Sequence, residues 1–132
     1  MVKAVLYAAN TNTQTVVAAG SVVNFGSIVR RYGSNCYLTG GNAAVEGTGY
    51  YAVDANVSFT GAAASTVLVQ LYEDGVAIPG ANATVLIGAN GVGSVTIPTI
   101  VRQRCCVESI ITANISGLAG TVTNASVRVI KL

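Results

Sequence analysis

The chain has 132 residues and a mass of 13.3 kDa, enough for one domain with a hydrophobic core of its own. Only 9% of its residues are charged and it contains no histidine, which excludes His-dependent catalytic triads and His-ligated metal sites. The formal net charge of +2 is too small to predict a nucleic-acid partner.

The N-terminal part predicts short strands separated by turns. "VKAVLYAA" (residues 2–9) and "QTVVAAGSVVNF" (residues 14–25) have the composition of strands and flank the turn-rich "NTNT". The following "RRYGSNCYLTGGNAAVEGTG" (residues 30–49) holds short extended pieces among Gly and Asn. No amphipathic pattern at helical spacing lasts ten residues here or elsewhere in the chain.

The middle of the chain contains the clearest strands. In "YYAVDANVSFTG" (residues 50–61) apolar and polar residues alternate, which predicts a half-buried strand. Its buried face carries Tyr51, Val53, Ala55, Val57 and Phe59. "STVLVQLYEDG" (residues 65–75) continues the pattern with Val67, Val69 and Leu71 on the buried side.

The dipeptide Asp74-Gly75 suits a two-residue type I′ turn, because that turn needs positive φ at both central residues. A metal or acid/base site at Glu73 and Asp74 is the alternative interpretation. The hairpin is favoured, because no other acidic residue or histidine lies nearby in the sequence.

The C-terminal part predicts four further strands. They are "NATVLIG" (residues 82–88), "GVGSVTIPTIV" (residues 91–101), "CCVESIITANIS" (residues 105–116) and "TVTNASVRVIKL" (residues 121–132). Pro98 marks either a strand end or an edge strand. Because turn signals recur every 8 to 12 residues or so, we expect a single all-β domain over residues 1–132, an antiparallel β-sandwich or jelly roll.

Membrane insertion and secretion are not expected. The longest uncharged run, residues 75–101, contains two Pro and five Gly and cannot form an apolar helix of about 20 residues. The first ten residues hold an apolar run shorter than the roughly 7 to 15 residues of a secretory signal core. Cys36, Cys105 and Cys106 fit no metal spacing, and small buried thiols in a reducing compartment are the favoured interpretation.

The order of the later strands resembles a known family. "GTGYYAVDANVSF", "VLVQLYEDG", "GVGSVTIPTI", "CVESIITANISG" and "ASVRVIKL" together look like the trimeric jelly roll of complement-type and tumour-necrosis-factor (TNF)-like domains, over roughly residues 47–132. "VQLYEDGVAIPGA" further resembles small bacteriophage and prophage domains of this type, used as head-fibre, capsid-decoration or fibre-knob proteins. The resemblance implies a homotrimer in which the sheet with the first and last strands packs around a three-fold axis.

Sparse charge agrees with such an assembly, because a surface covered by other copies needs fewer charges to stay dispersed. A merely polar surface of Asn, Thr, Ser and Gly is the alternative. For the trimer contact we predict outward-facing residues of the inner sheet, with Asp54 and Arg128 paired across neighbouring strands: Tyr7, Tyr50, Asp54, Thr96 and Arg128.

These observations favour a non-enzymatic structural protein with no cofactor. The leading hypothesis is a phage head-fibre or capsid-decoration component in the virion, made in the bacterial cytoplasm and bound to a capsid or fibre protein. The alternative is a lectin-like or receptor-binding knob, as an adhesin or a secreted TNF-like ligand. In that case a host-surface glycan would contact three exposed tyrosines: Tyr32, Tyr37 and Tyr72.

Overall fold

The computed structural model describes residues 3–104 and 107–132, so the predictions for Cys105 and Cys106 lie outside the described residues. The described chain forms strands joined by turns. In chain order the strands are β1 (Val5–Asn10), β2 (Gln14–Val16), β3 (Ser21–Val22), β4 (Ser27–Tyr32), β5 (Cys36–Thr39), β6 (Asn42–Glu46), β7 (Gly49–Gly61), β8 (Ser65–Glu73), β9 (Val76–Ile87), β10 (Gly91–Gln103), β11 (Glu108–Ser116) and β12 (Gly120–Lys131).

The strands form two antiparallel sheets packed face to face. Sheet A has the order β10-β7-β12-β1-β4, with β2 also paired to β12. Sheet B has the order β5-β6-β11-β8-β9, with β3 also paired to β11. This is the all-β antiparallel sandwich that the turn spacing predicts, and its first and last strands, β1 and β12, are neighbours in sheet A.

The core lies between the sheets and is built by alternation. The five β7 residues predicted to be buried, from Tyr51 to Phe59, are all 0–1% exposed. The three β8 residues predicted to be buried are equally covered, and they belong to the same core cluster as the β7 residues. Since successive side chains of a strand point to opposite faces, each polar residue between them faces outward.

The predicted turn at Asp74-Gly75 is confirmed. Asp74 has a φ of 50° and Gly75 a φ of 82°, and Glu73 pairs directly with Val76 across the two-residue loop. The Asp74 carboxylate also accepts a hydrogen bond from the Ile110 amide at 2.9 Å. The aspartate therefore fastens the β8–β9 hairpin to β11.

Three strand predictions need correction or completion. The predicted strand over residues 14–25 divides into β2, which pairs with β12 in sheet A, and β3, which pairs with β11 in sheet B. The predicted strand over residues 82–88 begins earlier, because the hairpin pairing carries β9 back to Val76 through a bulge opposite Gln70 and Tyr72. Pro98 lies in the middle of β10, which is an edge strand of sheet A, so edge rather than strand end is the right interpretation. An edge strand tolerates proline because one side of its backbone needs no ladder hydrogen bonds.

A small polar arrangement closes one end of the core. The buried Tyr51 hydroxyl donates to the carbonyl oxygens of Glu46 at 2.8 Å and Gly47 at 2.7 Å. Cys36 is buried as predicted, and that burial raises the pKa of its thiol to about 11. Within residues 3–104 and 107–132 there is no helix long and apolar enough to cross a membrane.

Candidate assembly surface on the outer face of sheet A

The strand register sorts the outward side chains of sheet A into rows that run across the strands. Paired residues of neighbouring strands point to the same face, so each row can be read from the pairing. The central row consists of Arg30, Tyr7, Arg128, Asp54 and Pro98, on β4, β1, β12, β7 and β10 respectively.

The predicted Asp54–Arg128 pair is present in this row. The Arg128 Nη2 lies 2.5 Å and its Nε 3.1 Å from Oδ2 of Asp54. The side chains are 57% and 28% exposed respectively, so water still reaches both groups. In the described part of the chain this is the one ion pair.

A shallow depression of about 250 Å³ surrounds the ion pair. Four of the five residues predicted for the trimer contact line it, namely Tyr7, Asp54, Thr96 and Arg128. The fifth, Tyr50, lies further along β7 on the same face, with the Arg102 guanidinium 5.7 Å from its ring centre. The structure therefore gathers these side chains on one face, and their role in a trimer contact stays a prediction.

This face also carries a row of apolar side chains that was not predicted from the sequence. It lies two residues along each strand from the central row and consists of Tyr32, Val5, Ile130, Ala52 and Ile100. Tyr32 is 67% and Ile100 61% exposed. Ile100 and Ile130 break the apolar–polar alternation of their strands. This irregularity is the feature of the sequence from which exposed apolar residues could have been predicted here.

The three tyrosines proposed to face a ligand do not form one cluster, and only Tyr32 is exposed, whereas Tyr37 and Tyr72 are half-buried. Tyr32 ends β4 in sheet A, whereas Tyr37 on β5 and Tyr72 on β8 belong to sheet B, with β6 and β11 between them. Tyr37 donates a hydrogen bond to Glu108, and the Arg31 guanidinium lies 5.8 Å from its ring centre. Their contact with a glycan stays a prediction.

The described residues contain no group of three or more acidic, Cys or His side chains that could hold a metal ion. A second depression, of about 390 Å³, lies at the far end of β7 and β12. Its lining is uncharged: Thr60, Gly61, Ala62, Asn90, Gly120 and Thr121.

No family model matches the chain, and no curated protein matches it significantly. The chain does match solved structures. Murine APRIL at pH 8.5 superposes with a TM-score of 0.72 at 17% identity, over 98% of this chain and 99% of that one. Murine APRIL at pH 5.0 gives a TM-score of 0.71 at 16% identity, over the same shares of the two chains. This likeness shows that the chain has the TNF-like jelly-roll fold.

Proposed function

We propose that the protein is a non-enzymatic assembly module that forms a homotrimer through the outer face of sheet A. The observation that carries the proposal is the unbroken apolar row from Tyr32 to Ile100 beside the Asp54–Arg128 pair. Aromatic and Arg side chains with few other charges are typical of the centre of protein interfaces.

Sheet B also exposes apolar side chains, but the register separates them. Val22 pairs with Asn114, Leu68 with Thr84, and Leu86 with Thr66. Each therefore has a polar neighbour, as single exposed apolar residues on ordinary surfaces commonly do. Only sheet A, among the described strands, carries an apolar row across five strands, and this supports sheet A as the covered face.

The size of the expected stabilisation follows from the exposed side chains. Full burial of an Ile contributes roughly 1.5 to 3 kcal/mol relative to full exposure. Ile100 still exposes 61% of its surface and would gain roughly 1 to 2 kcal/mol when covered. Three copies of Ile100, Tyr32 and Tyr50 together would supply the apolar centre of a trimer.

The finer proposal is that this trimer is a structural component of a bacteriophage particle, a head-fibre or capsid-decoration protein that binds a capsid or fibre partner. It rests on the resemblance of "VQLYEDGVAIPGA" to phage-encoded domains. Antibody raised against the chain should then label particles of the phage that encodes it, and the chain should co-sediment with those particles. Chain found only apart from particles would contradict the virion role.

The fold likeness to murine APRIL favours a second candidate at least as well: a receptor-binding knob, such as a secreted TNF-like ligand. A glycan-binding knob belongs to the same candidate. Binding of the fluorescently labelled chain to host cells, with no binding to particles, would support it. A glycan array without hits would remove its glycan-binding form.

The homotrimer itself is tested by absolute mass from light scattering after gel filtration. We expect a mass near three chains for the wild type and a shift toward one chain for Ile100→Asp. The matched control is Val22→Asp, which changes a similarly exposed residue (56%) on sheet B. A wild type that remains monomeric at micromolar concentration, or equal dissociation of both variants, would contradict sheet A as the contact.

A further inference from the structure

The charged residues are divided between the two sheets by sign. All seven cationic residues lie on strands of sheet A or within two residues of them: Lys3, Arg30, Arg31, Arg102, Arg104, Arg128 and Lys131. Four of the five acidic residues lie on or directly beside strands of sheet B: Glu46, Glu73, Asp74 and Glu108. The fifth, Asp54, is the ion-pair partner of Arg128. The strands of sheet A therefore carry the cations and those of sheet B most of the acids. Of the cations, Arg31 and Lys131 turn toward the core and sheet B, while Arg30, Arg102 and Arg128 are exposed.

The charges also share one end of the sandwich. β10 and β12 end at the cations of sheet A, and β8 ends and β11 begins at the acids of sheet B. Residues 55–72, 75–101 and 109–127, which include the other ends of these strands, contain no charged residue. Any electrostatic contact between copies of the chain would therefore have to be made at this end.

The division of charge discriminates between ways in which two copies can meet. A two-fold contact of sheet A on sheet A centred near β1 and β4 would place Arg30 of one copy near Arg30 of the other, since Arg128 is already paired with Asp54. Side-by-side packing of sheet A edges brings Arg102 on β10 near Arg30 on β4. Like charges facing each other disfavour both arrangements. A contact that brings the acidic hairpin of sheet B onto the cationic face of sheet A pairs opposite charges.

We propose that the β8–β9 hairpin at Asp74 of one copy docks on Arg30 in β4 of the next copy, so that neighbouring copies meet head to tail. This inference rests on the proposed homotrimer, since a head-to-tail contact closes into a ring when the rotation between copies allows it. Beyond the homotrimer, it names Asp74 and Arg30 as the residues that favour a head-to-tail contact over a two-fold contact.

Both side chains are suited to the contact. Asp74 is exposed at the hairpin tip, and its Oδ1 is held by the Ile110 amide, which fixes the carboxylate direction. Arg30 is exposed, and its Nη1 donates only to the carbonyl of the preceding Val29, at 3.0 Å. By contrast, Arg31 is committed within its own chain, because its Nε donates to Cys36 O at 2.9 Å.

The test uses variants that remove charge and preserve the backbone. Asp74→Asn keeps an Oδ1 acceptor and tolerates the φ of 50°, because Asn adopts positive φ readily. Arg30→Gln removes the partner charge. Glu46→Gln, an exposed acid of sheet B on the other side of β11 from the hairpin, is the matched control.

Light scattering over a dilution series gives the concentration at which half of the chains are assembled. At low salt we expect each of the two single variants to raise it about tenfold, with no further rise in the double variant and no change in the control. Between roughly 0.05 and 0.5 M salt the half-assembly concentration of the wild type should rise by about the same factor, because salt screens the ion pair. That of the two variants should rise much less.

Two results would overturn the inference in distinguishable ways. A wild-type trimer in which Asp74→Asn and Arg30→Gln behave like the control, or in which their effects add independently, contradicts this contact and leaves the homotrimer standing. A wild type that is monomeric across the whole series contradicts the homotrimer, and the head-to-tail contact with it.

Discussion

Arg128→Ala should weaken assembly much more than it weakens folding of the single chain. In the isolated chain the ion pair is a surface pair, because the Arg128 side chain is 57% and that of Asp54 28% exposed. Exposed pairs of this kind are worth about 0.2 to 1 kcal/mol. The unfolding free energy of the monomer should therefore change by less than about 1 kcal/mol.

Assembly changes the size of the effect, because a covered sheet A face would leave Asp54 desolvated without its partner. Truncating one member of a buried charge pair costs about 2 to 5 kcal/mol. This corresponds to a loss of affinity of about 30-fold to several thousand-fold per contact. The double variant Asp54→Asn/Arg128→Gln removes both charges with little change in shape. Its affinity between copies should therefore fall less than that of Arg128→Ala.

The assay combines mass by light scattering with urea unfolding at a concentration low enough for monomers. The expected outcome is a lower mass for Arg128→Ala at concentrations where the wild type is assembled, with nearly unchanged unfolding of the monomer. If Arg128→Ala leaves both the mass and the melting of the assembled protein unchanged, the pair has no part in assembly. If the unfolding free energy of the monomer falls as much as the free energy of assembly, the ion pair stabilises the folded chain and has no separate part in assembly.

Three further predictions concern the fold. Tyr51→Phe removes the hydroxyl that donates to the Glu46 and Gly47 carbonyls, of which Glu46 O keeps a hydrogen bond from Asn35 Nδ2, so the unfolding free energy should fall by about 0.5 to 1.5 kcal/mol in urea titrations; no change would contradict this role of the hydroxyl. Gly93→Ala places a Cβ 2.5 Å from the buried Phe59 ring and should cost about 1 to 3 kcal/mol, part of which Phe59→Leu should restore when the two changes are combined. Stability should fall as the pH rises from about 9 to 11, because the Cys36 thiol ionises at lower pH in the unfolded chain than in the folded one; Cys36→Ala should flatten this part of the stability profile.

The parts of the fold that the sequence predicts are those specified locally. The alternation over β7 and β8 assigns each of their side chains to the core or to the outer face, because the strand period of two leaves no other arrangement with a dry face. Asp74-Gly75 likewise predicts its turn from two residues, since few residue pairs adopt positive φ in succession.

The parts that the sequence does not predict depend on pairing between distant strands. The apolar row requires Ile100 to lie opposite Ala52, and Ala52 opposite Ile130, which are separated by tens of residues in the chain. The Asp54–Arg128 pair was predictable only because the family resemblance makes their strands neighbours. β4 gives no alternation signal, because it is an edge strand whose six residues are all exposed.

The two explanations of sparse charge, a covered surface and a merely polar one, predict different positions for exposed apolar residues. A polar surface would leave them single, each beside Asn, Ser or Thr, and sheet B has this character around Val22 and Leu86. A covered surface would place them side by side, as sheet A does between Tyr32 and Ile100. The net charge of +2 conceals a comparable contrast, because it is the small difference between a cationic sheet and an anionic one. Both contrasts favour sheet A as the face that other copies cover, with the acids of sheet B available to orient them.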